Sequence, residues 1–304
     1  MRGSREKAGP GGDHLKRILG IALVLFLLGL EQPGWQVELY PQPADGRVRL
    51  AQGEALLVRV KSEAGGIQEA GGEVFGSSLP LVRTEDGWLG LFGVDMDQEP
   101  GKYSLVLRLK LADGREEEKR VRLLVQARDY GTDRLTLPRE KVELSAEALA
   151  RVQTDQQALA RAWQTPSSMR YWSGPFQRPA PGEVNGVFGR RRIINGQPRS
   201  PHTGQDLRAG LGDPVLASNA GQVVLVRDCF FSGNSVLVDH GLGLYSMYFH
   251  LSEVKVKEGE MVEKGQILGL VGMSGRATGP HLHWGFRLLG ARVDPEAILA
   301  LPLP

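Results

Sequence analysis

Strict alternation of side chains between residues 103 and 125 constrains the fold of this chain more than any other feature. Apolar side chains occupy every second position at Tyr103, Leu105, Leu107, Leu109 and Leu111, and again at Val121, Leu123 and Val125. The turn signal Asp113-Gly114 separates the two runs. A period of two places successive side chains on opposite faces of a strand, and Asp-Gly favours a tight turn. The segment therefore predicts an antiparallel β-hairpin with one buried face.

Neighbouring segments extend this pattern over the first half of the chain. "GEALLVRVKS", residues 53–62, is short and apolar, and "TEDGWLGLFGVDM", residues 84–96, carries a turn signal before an apolar run. We therefore expect residues 36–128 to form a small antiparallel β-sandwich of immunoglobulin type. The segment contains no cluster of His, Asp or Glu that indicates chemistry. We interpret it as a spacer or cover.

The middle of the chain predicts one helix inside a linker. Residues 145–163 place Leu149, Val152, Leu159 and Trp163 near helical spacing, and Ser145 precedes them as a cap. The flanking sequence is polar or rich in Pro and Gly, so residues 129–171 read as a linker with a helix. Residues 172–304 consist of short strands with frequent glycines and no long helix pattern. The chain is therefore predicted to be mainly β, ending in an antiparallel β domain.

The N-terminus, residues 1–35, has the pattern of an export signal. Five basic residues precede the 13 uncharged residues Ile18–Leu30. A membrane-spanning helix needs about 20 apolar residues, whereas a shorter run after basic residues fits the apolar part of a secretory signal. The segment is either removed or kept as an inner-membrane anchor with membrane contact through residues 18–30. In both cases we expect the remainder to be exported to the periplasm or cell envelope.

Two histidines lie one residue apart in "TGPHLHWGF", residues 278–286. On an extended segment His281 and His283 project to one side, and Leu282 and Trp284 project to the other side, where they would enter a core. Two imidazoles on the same side form either a polar surface patch or part of a metal site. These residues alone do not decide between the two.

A second pair of polar residues lies in "SPHTGQDLRAG", where His202 and Asp206 are four apart. Pro201 and Gly204 argue against a helix, and in an extended segment an even spacing places both side chains on one face. They would meet His283 if the two strands were neighbours. Two imidazoles and one carboxylate are a set that binds catalytic zinc with a fourth position open. The alternative is that His202 caps a loop and Asp206 lies on a turn.

The remaining histidines and the single cysteine are assigned by their surroundings. His250 ends the alternating segment "LYSMYFHLS", and the pattern alone does not decide whether it lies in the site, whereas His240, in "VDHGLG", is expected in a turn between strands. His14 belongs to the basic leader. Cys229 is the only cysteine, so no internal disulfide forms, and its apolar neighbours favour packing as a small hydrophobic residue.

The order of His202-x-x-x-Asp206, "YFHLS" and "TGPHLHWGF" resembles the lysostaphin-type, or LytM-type, zinc endopeptidases of bacterial cell walls. The resemblance covers residues 172–296. It implies one zinc ion per chain, with His202, Asp206 and His283 as ligands. It also implies that His250 and His281 are catalytic histidines that do not bind the metal. The family tends to have a substrate-contacting Tyr in the loop before the first ligand, and here that loop, "RRRIINGQPRS", has none.

From this resemblance we expect a zinc metalloendopeptidase whose partner is peptidoglycan and which cuts its peptide cross-links, favouring a D-alanyl cross-bridge over a glycine bridge. The alternative is a catalytically inactive LytM-type regulator that activates another wall hydrolase; such regulators lack metal ligands. "GRRRIINGQPR" is either a basic patch for an anionic glycan or a solvated loop. The formal net charge of +2 gives no reason to expect nucleic acid as a partner. A fragment from about residue 170 onward is expected to keep its activity or to gain some.

Overall fold

The computed structural model describes residues 34–62, 66–136, 144–164 and 167–304. The apolar run Ile18–Leu30 and His14 of the predicted leader lie outside these residues. Within the described ranges, no helix is both long enough and apolar enough to cross a membrane.

Nine strands in the first part of the chain form two sheets. The strands are β1 Trp35–Tyr40, β2 Val48–Ala51, β3 Ala55–Ser62, β4 Ile67–Val74, β5 Ser77–Pro80, β6 Val82–Thr84, β7 Gly87–Gly93, β8 Gly101–Leu111 and β9 Glu116–Gln126. One sheet has the order β1-β3-β7-β6 and the other the order β2-β9-β8-β4-β5. Apolar side chains of both sheets pack in one core. The β2–β9 pair is parallel, an exception to the predicted antiparallel pairing, and the immunoglobulin type stays a prediction.

The predicted hairpin is confirmed as β8 and β9. Lys110 pairs with Glu116 next to the turn, and the strands stay antiparallel along their length. Leu105, Leu107 and Leu109 are buried, as the alternation requires. Because Gly114 has a φ of +86°, a backbone angle that side chains disfavour, glycine suits the turn.

The connecting segment contains β10 Thr132–Leu135 and α1 Ala146–Ala162. Ser145 caps α1, since its hydroxyl accepts a hydrogen bond from the Ala148 amide at 3.1 Å. Asp155 on the buried side of α1 accepts hydrogen bonds from Arg227 Nε and the Phe230 amide, both at 2.7 Å. The helix is therefore confirmed, and it is fixed to the second half of the chain by a buried carboxylate.

The second half is mostly β, as predicted. Its elements are β11 Val184–Gly186, β12 Arg191–Ile194, β13 Gln197–Arg199, β14 Gln205–Leu207, β15 Pro214–Leu216, β16 Gly221–Cys229, β17 Gly233–Asp239, β18 Leu244–Leu251, β19 Glu253–Val254, β20 Met261–Val262, β21 Ile267–Leu270, β22 Leu282–Leu288, β23 Ala291–Val293 and α2 Pro295–Leu299. The main sheet has the order β11-β14-β22-β18-β17-β16-β20, with β23 beside β22. Two smaller sheets have the orders β10-β12-β13 and β15-β21-β19.

The two β regions share apolar packing. Leu57 and Leu91 of the first sheet belong to the same buried cluster as Leu288 and Val293 of the second half. A side chain at Gly93 would collide with Val293, which shows how closely the two surfaces approach. The predicted boundaries at residues 36–128, 129–171 and 172–304 stay predictions, but the regions on either side of them pack as one body.

Candidate metal centre

Two neighbouring strands bring a carboxylate and an imidazole face to face. β14 pairs antiparallel with β22, and Asp206 lies directly opposite His283. Side chains directly opposite each other on one face of a sheet have Cβ atoms about 4.5–5.5 Å apart. The condition set by the sequence, that these two strands be neighbours, is met. Leu282 and Trp284 on the other face are fully buried, as predicted.

The third side chain comes from the loop just before β14. His202 Nε2 lies 3.0 Å from Asp206 Oδ1 and 3.0 Å from His283 Nδ1. His283 Nδ1 lies 3.0 Å from Asp206 Oδ1, so the three atoms form a triangle with equal edges. Both imidazoles are buried and the carboxylate is half-buried. The structure therefore brings together the three residues that the sequence singled out as a metal set.

Backbone and aromatic neighbours fix the orientation of the two imidazoles. His202 Nδ1 donates a hydrogen bond to the Val187 carbonyl oxygen at 2.8 Å. A carbonyl oxygen only accepts, so in the neutral ring the hydrogen is on Nδ1 and the lone pair of Nε2 faces the triangle. The His283 ring stacks on Phe249, with ring centroids 5.3 Å apart and planes 4° apart. These contacts hold both rings in place independently of a metal.

The three donor atoms fit a zinc ion. Zinc binds imidazole nitrogen and carboxylate oxygen at about 2.0–2.2 Å, which places neighbouring ligand atoms of a tetrahedron roughly 3.3 Å apart. The edges of 3.0 Å are close to this spacing. The lone pair of His202 Nε2 also faces a carboxylate oxygen, Asp206 Oδ1, at 3.0 Å, an arrangement that a cation stabilises. Two imidazoles and one carboxylate leave a fourth position open to a water or substrate.

Electrostatics keep the set in the protonation states that a metal requires. Burial disfavours the charged form of Asp206, but its interactions with the imidazoles of His202 and His283 outweigh this effect and hold the pKa of the carboxyl below its usual range. Burial lowers the pKa of His283. A carboxylate and neutral imidazoles are the forms that bind zinc.

Two further imidazoles border the triangle at slightly longer range. His281 Nε2 lies 3.7 Å from Asp206 Oδ1. The ring centroid of His250 lies 4.8 Å from that of His281 and 6.2 Å from that of His283. The structure thus places all five predicted site residues in one cluster and separates the three in mutual contact from the two beside them. The assignment of three ligands and two catalytic histidines stays a prediction.

In their neutral forms, both of these outer imidazoles have the lone pair on Nε2. His250 Nδ1 donates to the Ser274 carbonyl at 2.8 Å, and His281 Nδ1 donates to the Gly279 carbonyl at 2.9 Å. Burial lowers the pKa of His250 to about 4, so its ring is neutral at pH 7. His250 also has a φ of +65°, an uncommon backbone angle outside glycine that is held by the surrounding structure.

Two glycines allow the backbone to approach the site closely. A Cβ atom at Gly186, on β11, would lie 2.8 Å from Asp206 Cγ. A Cβ atom at Gly204 would lie 2.7 Å from His283 Nε2. Any side chain at either position would displace a member of the triangle, so these glycines set its geometry.

Sequence reasoning missed the groups that orient the site. The carbonyls of Val187, Ser274 and Gly279 carry no residue signature, because every residue has a backbone carbonyl. Phe249 has a signal, since it precedes His250 in the alternating strand and pairs with His283 on β22. The interpretation of "RRRIINGQPRS" as a loop is incomplete, because much of it forms the β12–β13 hairpin.

The other assigned residues lie where they were expected. His240 lies between β17 and β18, fully buried, and its ring contacts the Ala220 carbonyl at 2.8 Å and Ser246 Oγ at 2.7 Å. Burial lowers its pKa to about 4. Cys229 is buried at the end of β16, and burial raises the pKa of its thiol. Both residues are structural.

Comparison with known proteins agrees with this geometry. Residues 200–295 match the model of peptidase family M23. Peptidoglycan DD-endopeptidase ShyA of Vibrio cholerae serotype O1 is 42% identical over 95 residues, which is 31% of this chain and 22% of that protein. DD-carboxypeptidase/endopeptidase Mpg of Neisseria meningitidis serogroup B is 42% identical over 103 residues, 34% of this chain and 24% of that protein. The matches thus span less than a quarter of these curated relatives.

A solved structure extends the likeness beyond the site. The crystal structure of a putative peptidase M23 from Pseudomonas aeruginosa superposes with a TM-score of 0.63 at 29% identity. The match covers 82% of this chain and 94% of that one, so it extends into the first β region. The segment that contains His202, Asp206 and His283 is therefore similar to peptidase family M23.

Proposed function

We propose that this protein is a zinc-dependent endopeptidase that hydrolyses peptide cross-links of bacterial peptidoglycan. The observation that carries the proposal is the triangle of His202, Asp206 and His283, with edges of 3.0 Å, bordered by two more imidazoles. Two relatives in the matched segment are named as peptidoglycan DD-endopeptidase and DD-carboxypeptidase/endopeptidase. Their names favour a D-alanyl cross-bridge as the substrate, as the sequence analysis does.

The chain's own residues supply the proton chemistry. A zinc ion held by His202, Asp206 and His283 would supply an activated nucleophile near neutral pH and would polarise the scissile carbonyl. The neutral rings of His250 and His281 have their lone pairs on Nε2, so either can accept a proton. Once protonated, the same nitrogen can donate to the leaving amine or to the developing oxyanion. The backbone carbonyls at Ser274 and Gly279 keep each ring in the required tautomer.

The alternative function is a regulator without activity, which activates another wall hydrolase. The cluster favours the enzyme, because a regulator has no need of three ligands and two oriented imidazoles. We also propose that the protein is exported to the periplasm or cell envelope, where its substrate lies. Anchoring through residues 18–30 stays a prediction from the sequence.

Digestion of purified peptidoglycan tests the function directly. The full-length protein, loaded with one zinc per chain, is incubated with cross-linked sacculi, and the released muropeptides are identified by mass spectrometry. We expect cross-linked dimers to convert to monomers ending in D-alanine, and Asp206→Ala to abolish the conversion. A zinc-loaded protein that leaves the dimers intact would instead support the regulator.

A further inference from the structure

The strand that carries His250 departs from regular pairing with its neighbour. Between the pairs Val236–Tyr248 and Asn234–Leu251, β18 contributes one residue more than β17, so this part of β18 is a β-bulge. His250 lies within the bulge and has a φ of +65°. Bulges next to active sites direct a side chain that regular pairing would place elsewhere. The position of the His250 imidazole therefore depends on the groups that hold the bulge.

A serine hydroxyl joins the two strands at the end of the bulge. Ser274 Oγ accepts a hydrogen bond from the Asn234 amide at 2.9 Å and donates one to the Leu251 carbonyl at 2.8 Å. Asn234 and Leu251 are the pair that closes the bulge. The side-chain amide of Asn234 also donates to the Leu251 carbonyl, at 3.0 Å. The side chain of Ser274 is thus part of the hydrogen bonding between β17 and β18.

The backbone of the same serine holds the His250 imidazole. The Ser274 carbonyl accepts a hydrogen bond from His250 Nδ1 at 2.8 Å, while the His250 amide donates to the Ser232 carbonyl at 2.8 Å. Ser274 therefore binds the bulge through its side chain and the imidazole through its carbonyl. A shift of Ser274 would move the acceptor that orients the ring.

Close packing places the loop of residues 271–281 directly against these strands. A Cβ atom at Gly233, the first residue of β17, would collide with Ser274 Oγ, and a Cβ atom at Gly275 would collide with the Gly233 amide. A Cβ atom at Gly272 would lie 2.6 Å from the His250 carbonyl oxygen. The glycines allow the approach, and the hydroxyl of Ser274 supplies a polar attachment at the bulge.

We propose that Ser274 is a positioning residue for His250: its hydroxyl holds the bulge and its carbonyl holds the imidazole, so that Nε2 stays where proton transfer requires it. This inference rests on the proposed endopeptidase function, in which His250 handles protons. Ser274 acts only through His250, because its own hydroxyl hydrogen is donated to the Leu251 carbonyl. A misplacement of about 1 Å can cost roughly 100-fold in rate, so a group that acts through position alone can have a large effect.

Ser274→Ala tests the proposal, because it removes the hydroxyl and leaves the backbone carbonyl. We expect kcat on cross-linked muropeptides to fall about 10- to 100-fold, with KM little changed and close to one zinc per chain. Ser274→Thr keeps a hydroxyl and should restore most of the rate. Ser252→Ala is the matched control: the Ser252 hydroxyl donates to the Val271 carbonyl at 2.9 Å, so it holds the start of the same loop. It should leave kcat unchanged.

A double variant separates positioning from a general structural role. Because Ser274 acts through His250, adding Ser274→Ala to His250→Asn should leave the single-turnover rate of His250→Asn unchanged. A structural role would lower the rate by the same factor in both backgrounds. That result, a wild-type kcat in Ser274→Ala, or equal losses in Ser274→Ala and Ser252→Ala would overturn the positioning role and leave the endopeptidase standing. Failure of the zinc-loaded wild-type protein to cleave cross-links would contradict the proposed function itself.

Discussion

Substituting the two histidines of residues 281–283 one at a time separates a metal ligand from a catalytic group. His283 Nδ1 lies 3.0 Å from both other members of the triangle, so His283→Ala leaves two donors. Removing a group that hydrogen-bonds to a zinc ligand already lowers zinc affinity roughly 10- to 100-fold, and removing the ligand itself should lower it further. We therefore expect His283→Ala to lose both zinc and activity.

His281→Ala has the opposite expected effect on the metal. Its Nε2 is 3.7 Å from Asp206 Oδ1, and it does not share the triangle. Removing one acid–base group costs about 100- to 10,000-fold in rate. We expect close to one zinc per chain and a rate reduced by that factor. His250→Asn should behave in the same way, since Asn tolerates the φ of +65° at this position.

Zinc content after dialysis, a competition titration with a chromogenic chelator, and the rate on cross-linked muropeptides measure these effects on the same samples. His202→Ala serves as the reference for ligand loss. If His281→Ala releases zinc while His283→Ala retains it, the two roles are reversed. If both variants retain zinc, the metal site lies elsewhere.

Three further predictions concern what surrounds the site. Gly186→Ala should weaken zinc binding at least 10-fold, because the added methyl group displaces Asp206. Gly71→Ala is the control and should leave zinc affinity unchanged, because no atom lies within 4 Å of the added methyl group. Competition with a chelator measures both affinities, and equal values would refute the crowding argument. The pKa of His240 is about 4 in the folded chain and 6.5 in the unfolded chain. Its contribution to the free energy of unfolding is therefore complete above pH 6.5 and is lost as the pH falls towards 4. Urea unfolding should show a loss of about 2 kcal/mol between pH 8 and pH 5 that His240→Gln removes, and an unchanged pH slope would contradict this. A fragment from residue 170 onward should melt at a lower temperature and bind zinc more weakly than the full chain, because it exposes the shared core. An unchanged melting temperature and zinc affinity would support the interpretation of the first β region as a spacer.

The last of these predictions reverses an expectation from the sequence. The first β region lacks catalytic groups, which made it look dispensable. In the structure the ring of Tyr130, in the connecting segment, packs against Phe188 with centroids 5.7 Å apart. Its hydroxyl donates a hydrogen bond to the carbonyl of Gln52 in the first β region at 2.6 Å. Phe188 follows Val187, whose carbonyl orients His202. The first β region therefore contacts, through Tyr130 and Phe188, the segment that orients His202.

The site residues could be predicted from the sequence because they are recognised by their residue type. Histidine and aspartate are uncommon in strands that face a core, so their even spacing at residues 202–206 and 281–283 was visible. The hairpin of β8 and β9 was predictable for a similar reason, since alternation and a turn residue are local. These local signals required no knowledge of the partner strands.

The parts that were missed depend on long-range pairing. β10 has the polar sequence "TDRL" and no apolar period, and it forms a strand only because β12 lies beside it. From the sequence, Leu57 and Leu91 are expected in the core of the first β region, but in the structure they pack with apolar residues of the second half of the chain. A pattern of burial shows that a face is covered, and it does not show which element covers it.

The distance along the chain between paired site residues has a consequence for biosynthesis. Asp206 and His283 are direct neighbours across β14 and β22, yet 77 positions separate them in sequence. Closing so long a loop costs entropy that only the completed sheet repays. A ribosome releases the residues in order, so a nascent chain has no complete triangle until His283 has emerged. The metal centre is therefore assembled late, and a chain interrupted before residue 283 would contain most of the domain and no zinc site.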